Sequence, residues 1–205
     1  MSPKDGQKSR EAVLAAAEDL FARKGYDPTS LQEIGEAAGV SRGLPNYFFG
    51  TKEALYNEVV ARVFARAQEA LGPVYEEAAE GDPAEVVAHL IDGYLNFFAA
   101  DPNFVRIVQR EALRGGGSVS DALRGPVLDE ALAGIKIIAA PLGLDPAHLL
   151  ILIVSVCWFP YAHGETLLDT LGLDPHTPEF REQHRRNVVE LLLGSHGGRR
   201  AGRVA

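Results

Sequence analysis

The chain has 205 residues, 46% of them hydrophobic, which is enough apolar material for one domain or two small ones. Its formal net charge of -8 excludes a generic affinity for nucleic acid or anionic lipid, so any contact with a polyanion has to come from a local patch. The one cysteine, Cys157, cannot form an intrachain disulfide, the polar N-terminal stretch lacks the apolar core of a signal peptide, and the apolar run 149–162 is short of the ~20 residues a membrane span needs. A reducing cytoplasm is the simplest home for such a chain.

Strand-like alternation of useful length is absent and helix starts recur, so an all-α fold is expected. Asp82-Pro83, Asp101-Pro102, Asp145-Pro146 and Thr177-Pro178 each place a capping side chain before a proline at the first helical position. Ser30 with Glu33 and Asp82 with Glu85 fit a capping box. The first helix is predicted over 9–24, with Val13, Leu14, Ala17, Leu20 and Phe21 on one face and Gly25 as its stop. Two short helices follow near 30–37 and 41–47, then a long one capped by Thr51 and running to residue 71. Later helices are predicted over 83–99, 102–113, 120–139, 146–165 and 178–193, with the glycines at 115–117 as a loop. The run from Leu149 to Ala162 reads as a helix buried on all sides, and Pro160 inside it should free the Val156 carbonyl and kink it. No repeat has a fixed period. The expected domains are 7–67 and 68–194, divided inside the long helix, with 195–205 as a disordered tail.

Residues 30–49, SLQEIGEAAGVSRGLPNYFF, have the spacing of a helix-turn-helix. Gly35 allows close helix approach, Gly39 allows a left-handed turn, and Leu31, Ile34, Ala38 and Val40 fill the space between the helices. Ser41 caps the second helix, which leaves Arg42, Gly43, Leu44, Asn46 and Tyr47 as an exposed reading surface. A plain helical hairpin satisfies the same spacing.

With its flanks, the stretch from Phe21 to Val59, FARKGYDPTSLQEIGEAAGVSRGLPNYFFGTKEALYNEV, resembles the DNA-binding domain of the tetracycline-repressor (TetR) family of transcriptional regulators. The features are an apolar helix ending in Gly-Tyr, Thr-Ser, Ile-x-x-x-Ala-Gly-Val-Ser-Arg-Gly, Tyr-Phe-Phe and a Lys-Glu-x-Leu-Tyr helix start. Beyond about residue 65 the likeness is one of length and helical layout only. The resemblance implies phosphate contacts from Thr29, Ser30 and Lys52, and base-reading positions at Arg42, Gly43, Asn46, Tyr47 and Phe48. The chemistry agrees: an arginine can bind guanine bidentately, and a lysine at a helix start suits phosphate. Taken alone, Lys52 would read as a solvated surface lysine.

Two positions depart from the family pattern: Pro45 stands where many members have leucine and Asn46 where many have tyrosine. With Ser41 as cap, Pro45 is the fourth helical residue and loses only the bond to the Ser41 carbonyl. It is expected to stiffen the recognition turn and re-aim Asn46 and Tyr47, and Asn46 offers an adenine contact.

The rest of the chain carries aromatics and scattered polar groups, His89 and His163 among them. Tyr94, Phe98, Arg106, Gln109, Trp158 and Tyr161 are the candidate lining of a small-molecule site, with ordinary core packing as the alternative for each aromatic. The helix at 178–193 is apolar on two sides through Val188, Val189, Leu191, Leu192 and Leu193. The resemblance implies a homodimer through the helices near 146–165 and 178–193. No P-loop, HExxH, paired-cysteine site or nucleophile elbow is present, so neither catalytic residues nor a metal or cofactor is expected, and Cys157 reads as a buried thiol. The expected function is a dimeric repressor of transcription that binds an inverted-repeat, double-stranded DNA operator and is released by a small-molecule effector. The alternatives are a helical ligand-binding dimer without DNA binding and a small all-α enzyme.

Overall fold

A computed structural model describes residues 3–77 and 82–197, and every regular element among them is helical. In chain order these are α1 (Pro3–Lys24), α2 (Leu31–Ala37), α3 (Leu44–Phe49), α4 (Lys52–Glu77), α5 (Pro83–Ala100), α6 (Pro102–Leu113), α7 (Gly117–Leu123), α8 (Pro126–Leu142), α9 (Pro146–Ala162) and α10 (Pro178–Gly197). A π-helical turn, Gly164–Leu168, follows α9. No single helix among the described residues is long and apolar enough to cross a membrane.

The proline-started helices begin where their capping pairs put them. The Asp145 carboxylate accepts the His148 N–H at 3.0 Å, and Thr51 Oγ1 accepts the Ala54 N–H at 3.0 Å. Several boundaries differ from expectation, among them the end of α9, at Ala162 and not residue 165. Helix α1 starts at Pro3, not residue 9, and α4 runs to Glu77 through Pro73. The segment expected as one helix over 120–139 is two, α7 and α8, because Gly125 adopts φ 86° and Pro126 then opens a new helix. Helix α10 continues to Gly197, so residues 195–197 are helical where a tail was expected; residues 198–205 lie outside the described residues.

The chain divides into two compact units: residues 1–66 with 103–123, and residues 67–102 with 124–205. The first therefore includes α6 and α7, which a division at one point in the sequence assigns elsewhere. Its core joins Val13, Leu14, Ala17, Leu20 and Phe21 of α1 to Ile34 of α2, to Leu55, Val59 and Val63 of α4, and to Phe104 and Ile107 of α6. Each fully buried aliphatic side chain contributes about 1.5–3 kcal/mol relative to exposure. Ion pairs tie α1 to α4 beside this core: Arg10 with Glu58, Arg62 with Glu11 at 2.6 Å, and Arg66 with Glu18 at 2.8 Å.

In the second unit α5 packs on α8, α9 and α10 through Val87, Leu90, Ile91 and Leu95. The other side of this core is Ile135, Ile138 and Ala139 of α8 with Leu149, Ile153 and Cys157 of α9. Only one face of α9 is covered, contrary to the expectation of burial all round. Leu149, Ile153, Cys157 and Pro160 are buried, while Ile151, Leu152 and Phe159 are 61%, 49% and 43% exposed. Pro160 withholds the N–H that would meet the Val156 carbonyl, and His184 of α10 supplies a replacement: its Nε2 lies 2.9 Å from that oxygen. The carbonyl accepts and the imidazole N–H donates, with Phe180 stacked on the same ring at 5.3 Å.

Candidate nucleic-acid interface

Helices α2 and α3 meet across a turn that is built largely from backbone. The Ser30 hydroxyl caps α2 by accepting the Glu33 N–H at 3.1 Å, and it is exposed. The other end of α2 closes with paired bonds, Gly39 N–H to Glu36 O at 3.1 Å and Val40 N–H to Gly35 O at 3.0 Å. This closure requires a left-handed residue, and Gly39 supplies φ 67°. Gly35 is where the two arms touch. A Cβ there would lie 3.3 Å from the Arg42 Cα and 3.3 Å from the Ser41 carbonyl oxygen, so both arms would have to part.

The start of α3 corrects the expected cap and the position of the proline. Ser41 does not cap the helix; its carbonyl accepts the Leu44 N–H at 3.0 Å in a tight turn, and Gly43 stands at the N-cap with no side-chain bond. Leu44 is thus the first helical residue and Pro45 the second, not the fourth. At that position the missing N–H is one that the helix leaves unpaired in any case, so the ring costs no hydrogen bond. Pro45 is buried, with Cδ 3.4 Å from the place of a Gly35 Cβ, and acts as a packing residue at the crossing of α2 and α3.

The same short helix sorts its side chains by face. Pro45 and Phe49 are buried; Ser41, Arg42, Gly43, Asn46 and Tyr47 are exposed, and Leu44 and Phe48 are half-buried. Tyr47 is 77% exposed, and its ring meets Phe48 edge-on at 5.4 Å. The Arg42 guanidinium is paired with Glu36 at 2.8 Å.

Thr29 and Lys52 do not present free polar atoms. Thr29 is buried and its hydroxyl donates to the Gly25 carbonyl at 2.8 Å. The Lys52 ammonium donates to three backbone carbonyls, Tyr26 at 2.9 Å, Asp27 at 3.2 Å and Thr29 at 2.9 Å, and sits 4.2 Å from the Tyr26 ring centroid. Three N–H donors meet three acceptors, so a phosphate could bind only by displacing one of them. Both residues brace the turn that sets the start of α2.

The family model described as bacterial regulatory proteins, tetR family, matches residues 13–59, and the one described as tetracyclin repressor-like, C-terminal domain, matches 83–192. The chain belongs to the TetR family. It is a DNA-binding, ligand-responsive transcriptional regulator. The chain is 25% identical to the transcriptional repressor NicS of Pseudomonas putida over 91% of each chain. It is 31% identical to the regulator RutR of Escherichia coli over 70% of this chain and 69% of that one. Its fold matches the solved structure of the flavonoid-responsive regulator FrrA with a TM-score of 0.63 and 27% identity, over 93% of this chain and 97% of that one.

Around the DNA-reading head of this TetR-family chain, α6 and α7 supply a polar cluster that the sequence did not flag. Glu111 is 3% exposed and accepts from Tyr56 Oη at 2.8 Å, the Ser118 N–H at 3.0 Å and Arg114 at 2.9 Å. Burial pushes its carboxyl pKa up, but the Tyr56, Ser118 and Arg114 donors outweigh that and hold it below the usual range. Burial and the adjacent Glu111 raise the Tyr56 hydroxyl well above its ordinary value. Arg114 also lies over the Tyr26 ring at 4.1 Å, and Arg110 donates to the Ala22 and Arg23 carbonyls at 2.9 Å and 2.6 Å, capping the end of α1.

The six residues expected to line a ligand site are divided. Tyr94, Phe98, Trp158 and Tyr161 come together in the second unit: Phe98 lies 5.7 Å from Tyr94, 5.3 Å from Trp158 and 6.2 Å from Tyr161, centroid to centroid. Tyr94 bonds its hydroxyl to Tyr75, whereas the buried Tyr161 hydroxyl has no partner. Arg106 and Gln109 are on α6 and belong to the first unit. Cys157 is buried, and desolvation raises its thiol pKa to about 12, which leaves it a thiol at neutral pH. No group of three or more metal-ligating side chains occurs among the described residues.

Proposed function

We propose that this regulator acts in the cytoplasm as a homodimeric repressor. Each subunit places α3 in the major groove of one half-site of an inverted repeat. Function lies in binding and not in turnover. The observation that carries this reading is the sorting of α3: Arg42, Asn46 and Tyr47 are exposed while Pro45 and Phe49 are buried against the head. Arg42 is assigned to a guanine, Asn46 to an adenine, and Ser30 and the start of α2 to phosphate. Gly43 has open space where a Cβ would stand, which suits close approach to a duplex edge. Thr29 and Lys52 act behind this surface.

The dimer forms through α9 and α10, a reading supported by Ile151, Leu152 and Phe159 on the uncovered face of α9. Two-fold symmetry then sets half-site centres about 34–36 Å apart or near a multiple of that. The effector site is assigned to the cluster of Tyr94, Phe98, Trp158 and Tyr161. The unpartnered Tyr161 hydroxyl supports that assignment, because a buried donor without an acceptor is destabilising unless a ligand or water meets it. The name of FrrA also gives a small-molecule response to a relative of similar length.

The test is selection of an operator from a random duplex pool, followed by titration with wild type and Arg42→Ala. Arg42→Ala should weaken the selected operator by about 1–3 kcal/mol and relax preference at one base pair. Equal weakening on operator and random duplex would remove the base-reading role.

A further inference from the structure

Arg42 reaches the surface from a backbone packed beside Gly35, where a Cβ would lie 3.3 Å from the Arg42 Cα. Its guanidinium is held from the other arm of the motif: Nη2 lies 2.8 Å from Oε1 of Glu36, and Gln32 Nε2 donates to the same carboxylate oxygen at 3.4 Å. Both partners are exposed at the reading surface, 69% for the Arg42 side chain and 51% for Glu36. A carboxylate beside the proposed DNA face is a liability unless it does something there, because it faces phosphate with the wrong charge.

Two consequences follow from this pair. A guanidinium has five N–H donors in a fixed fork, so one contact to Glu36 leaves a free edge for the two acceptors of guanine. Holding that edge before contact removes part of the ordering cost of docking a long side chain. The carboxylate also neutralises Arg42 toward phosphate, so a random duplex, which offers only backbone charge, gains little from it. We propose that Glu36 is a specificity-determining residue: it positions Arg42 for a base edge and withholds its charge from random DNA. The proposal rests on Arg42 being the base-reading residue.

The experiment measures binding to the duplex selected by wild type and to a random duplex of equal length, at several salt concentrations. The proteins are wild type, Glu36→Gln, Glu36→Ala, Arg42→Ala and the double variant Glu36→Ala with Arg42→Ala. Thermal midpoints confirm that these exposed substitutions leave the fold intact. Glu36→Ala should lower the operator-to-random ratio by about fivefold, the upper end for an exposed ion pair. Random DNA should bind more tightly and with a steeper salt dependence. Glu36→Gln should move the ratio in the same direction, and Glu36→Ala should leave it unchanged when Arg42 is already alanine. If Arg42→Ala lowers the ratio and Glu36→Ala does not, the proposal fails while the base-reading role of Arg42 stands. If Arg42→Ala leaves the ratio unchanged, both fall. A Glu36→Ala effect that persists in full without Arg42 also overturns the proposal, since plain repulsion from phosphate would then account for it.

Discussion

In the first unit, the turn between α1 and α2 is held by directional bonds from Lys52 and Arg110, with Arg114 lying over the Tyr26 ring. In the second, α5 is held mainly by aliphatic and aromatic contacts, and on the neighbouring α9 the buried Tyr161 hydroxyl has no partner among the described residues. Directional bonds fix positions within a few tenths of an ångström, which a surface that must match a DNA duplex requires. Apolar contacts fix volume and leave composition free, so many different cores can serve. The contrast explains why one region carries a readable motif and the other only a helical pattern.

Removing the buried carboxylate is the harshest way to probe the directional side of this contrast. Glu111→Ala leaves the Tyr56 hydroxyl, the Ser118 N–H and Arg114 without their acceptor and should cost about 3 kcal/mol in urea unfolding. A loss below about 1 kcal/mol would mean the cluster is incidental. The same group gives a pH signature. Its folded pKa is depressed, so its contribution is present above the unfolded carboxyl pKa, ~4.3, and is lost as pH falls through the lower folded value. Acid unfolding of wild type should therefore steepen below about pH 4 relative to Glu111→Gln.

The apolar side is tight at Gly134. A Cβ on Gly134 would lie 2.8 Å from Tyr75 Cδ1 and 2.9 Å from its Cβ, so Gly134→Ala should cost about 2 kcal/mol. A loss near zero would show that Tyr75 can swing away, which extends the plasticity of this unit to its closest contact.

Lys52→Met keeps the aliphatic stem but removes three bonds to carbonyls and the contact with Tyr26. A cost of about 1.5 kcal/mol is expected, with no change in the salt slope of DNA binding. A slope reduced by about one unit would instead put this ammonium on a phosphate.

The smallest effect is expected from Tyr161→Phe, which deletes the unpartnered hydroxyl. Stability should hold or rise by up to about 1 kcal/mol, because no bond is lost. Effector affinity should fall. Destabilisation of more than about 1 kcal/mol would mean that the hydroxyl is satisfied in solution.

The parts of the fold legible in sequence were those written in local chemistry. Proline-started helices with Asp or Thr before them were found to within a few residues, and α6 was found at both ends, because capping depends on neighbours along the chain. The start of α3 was misplaced because Ser41 has the chemistry of a cap while the turn at 41–44 is closed by backbone. The roles of Lys52 and Glu111 were not legible, since the carbonyls that Lys52 meets lie 23–26 residues away in the chain and the Tyr56 hydroxyl that meets Glu111 lies 55 residues away. Glu111 did leave one trace: it falls on the register of Phe104 and Ile107, the apolar face of α6, where a charge is out of place unless bonded.

Pro160 and His184 illustrate how a local defect in one helix becomes an obligation of another. The Val156 carbonyl is left open by the proline and closed by the imidazole N–H. Restoring an N–H with Pro160→Ala would make His184 redundant, and losing His184 alone would strand the carbonyl. The two positions should therefore behave non-additively in any double-mutant cycle. A proline at this place in α9 thus leans on a donor from α10, and a single oxygen atom makes the two helices answer for each other.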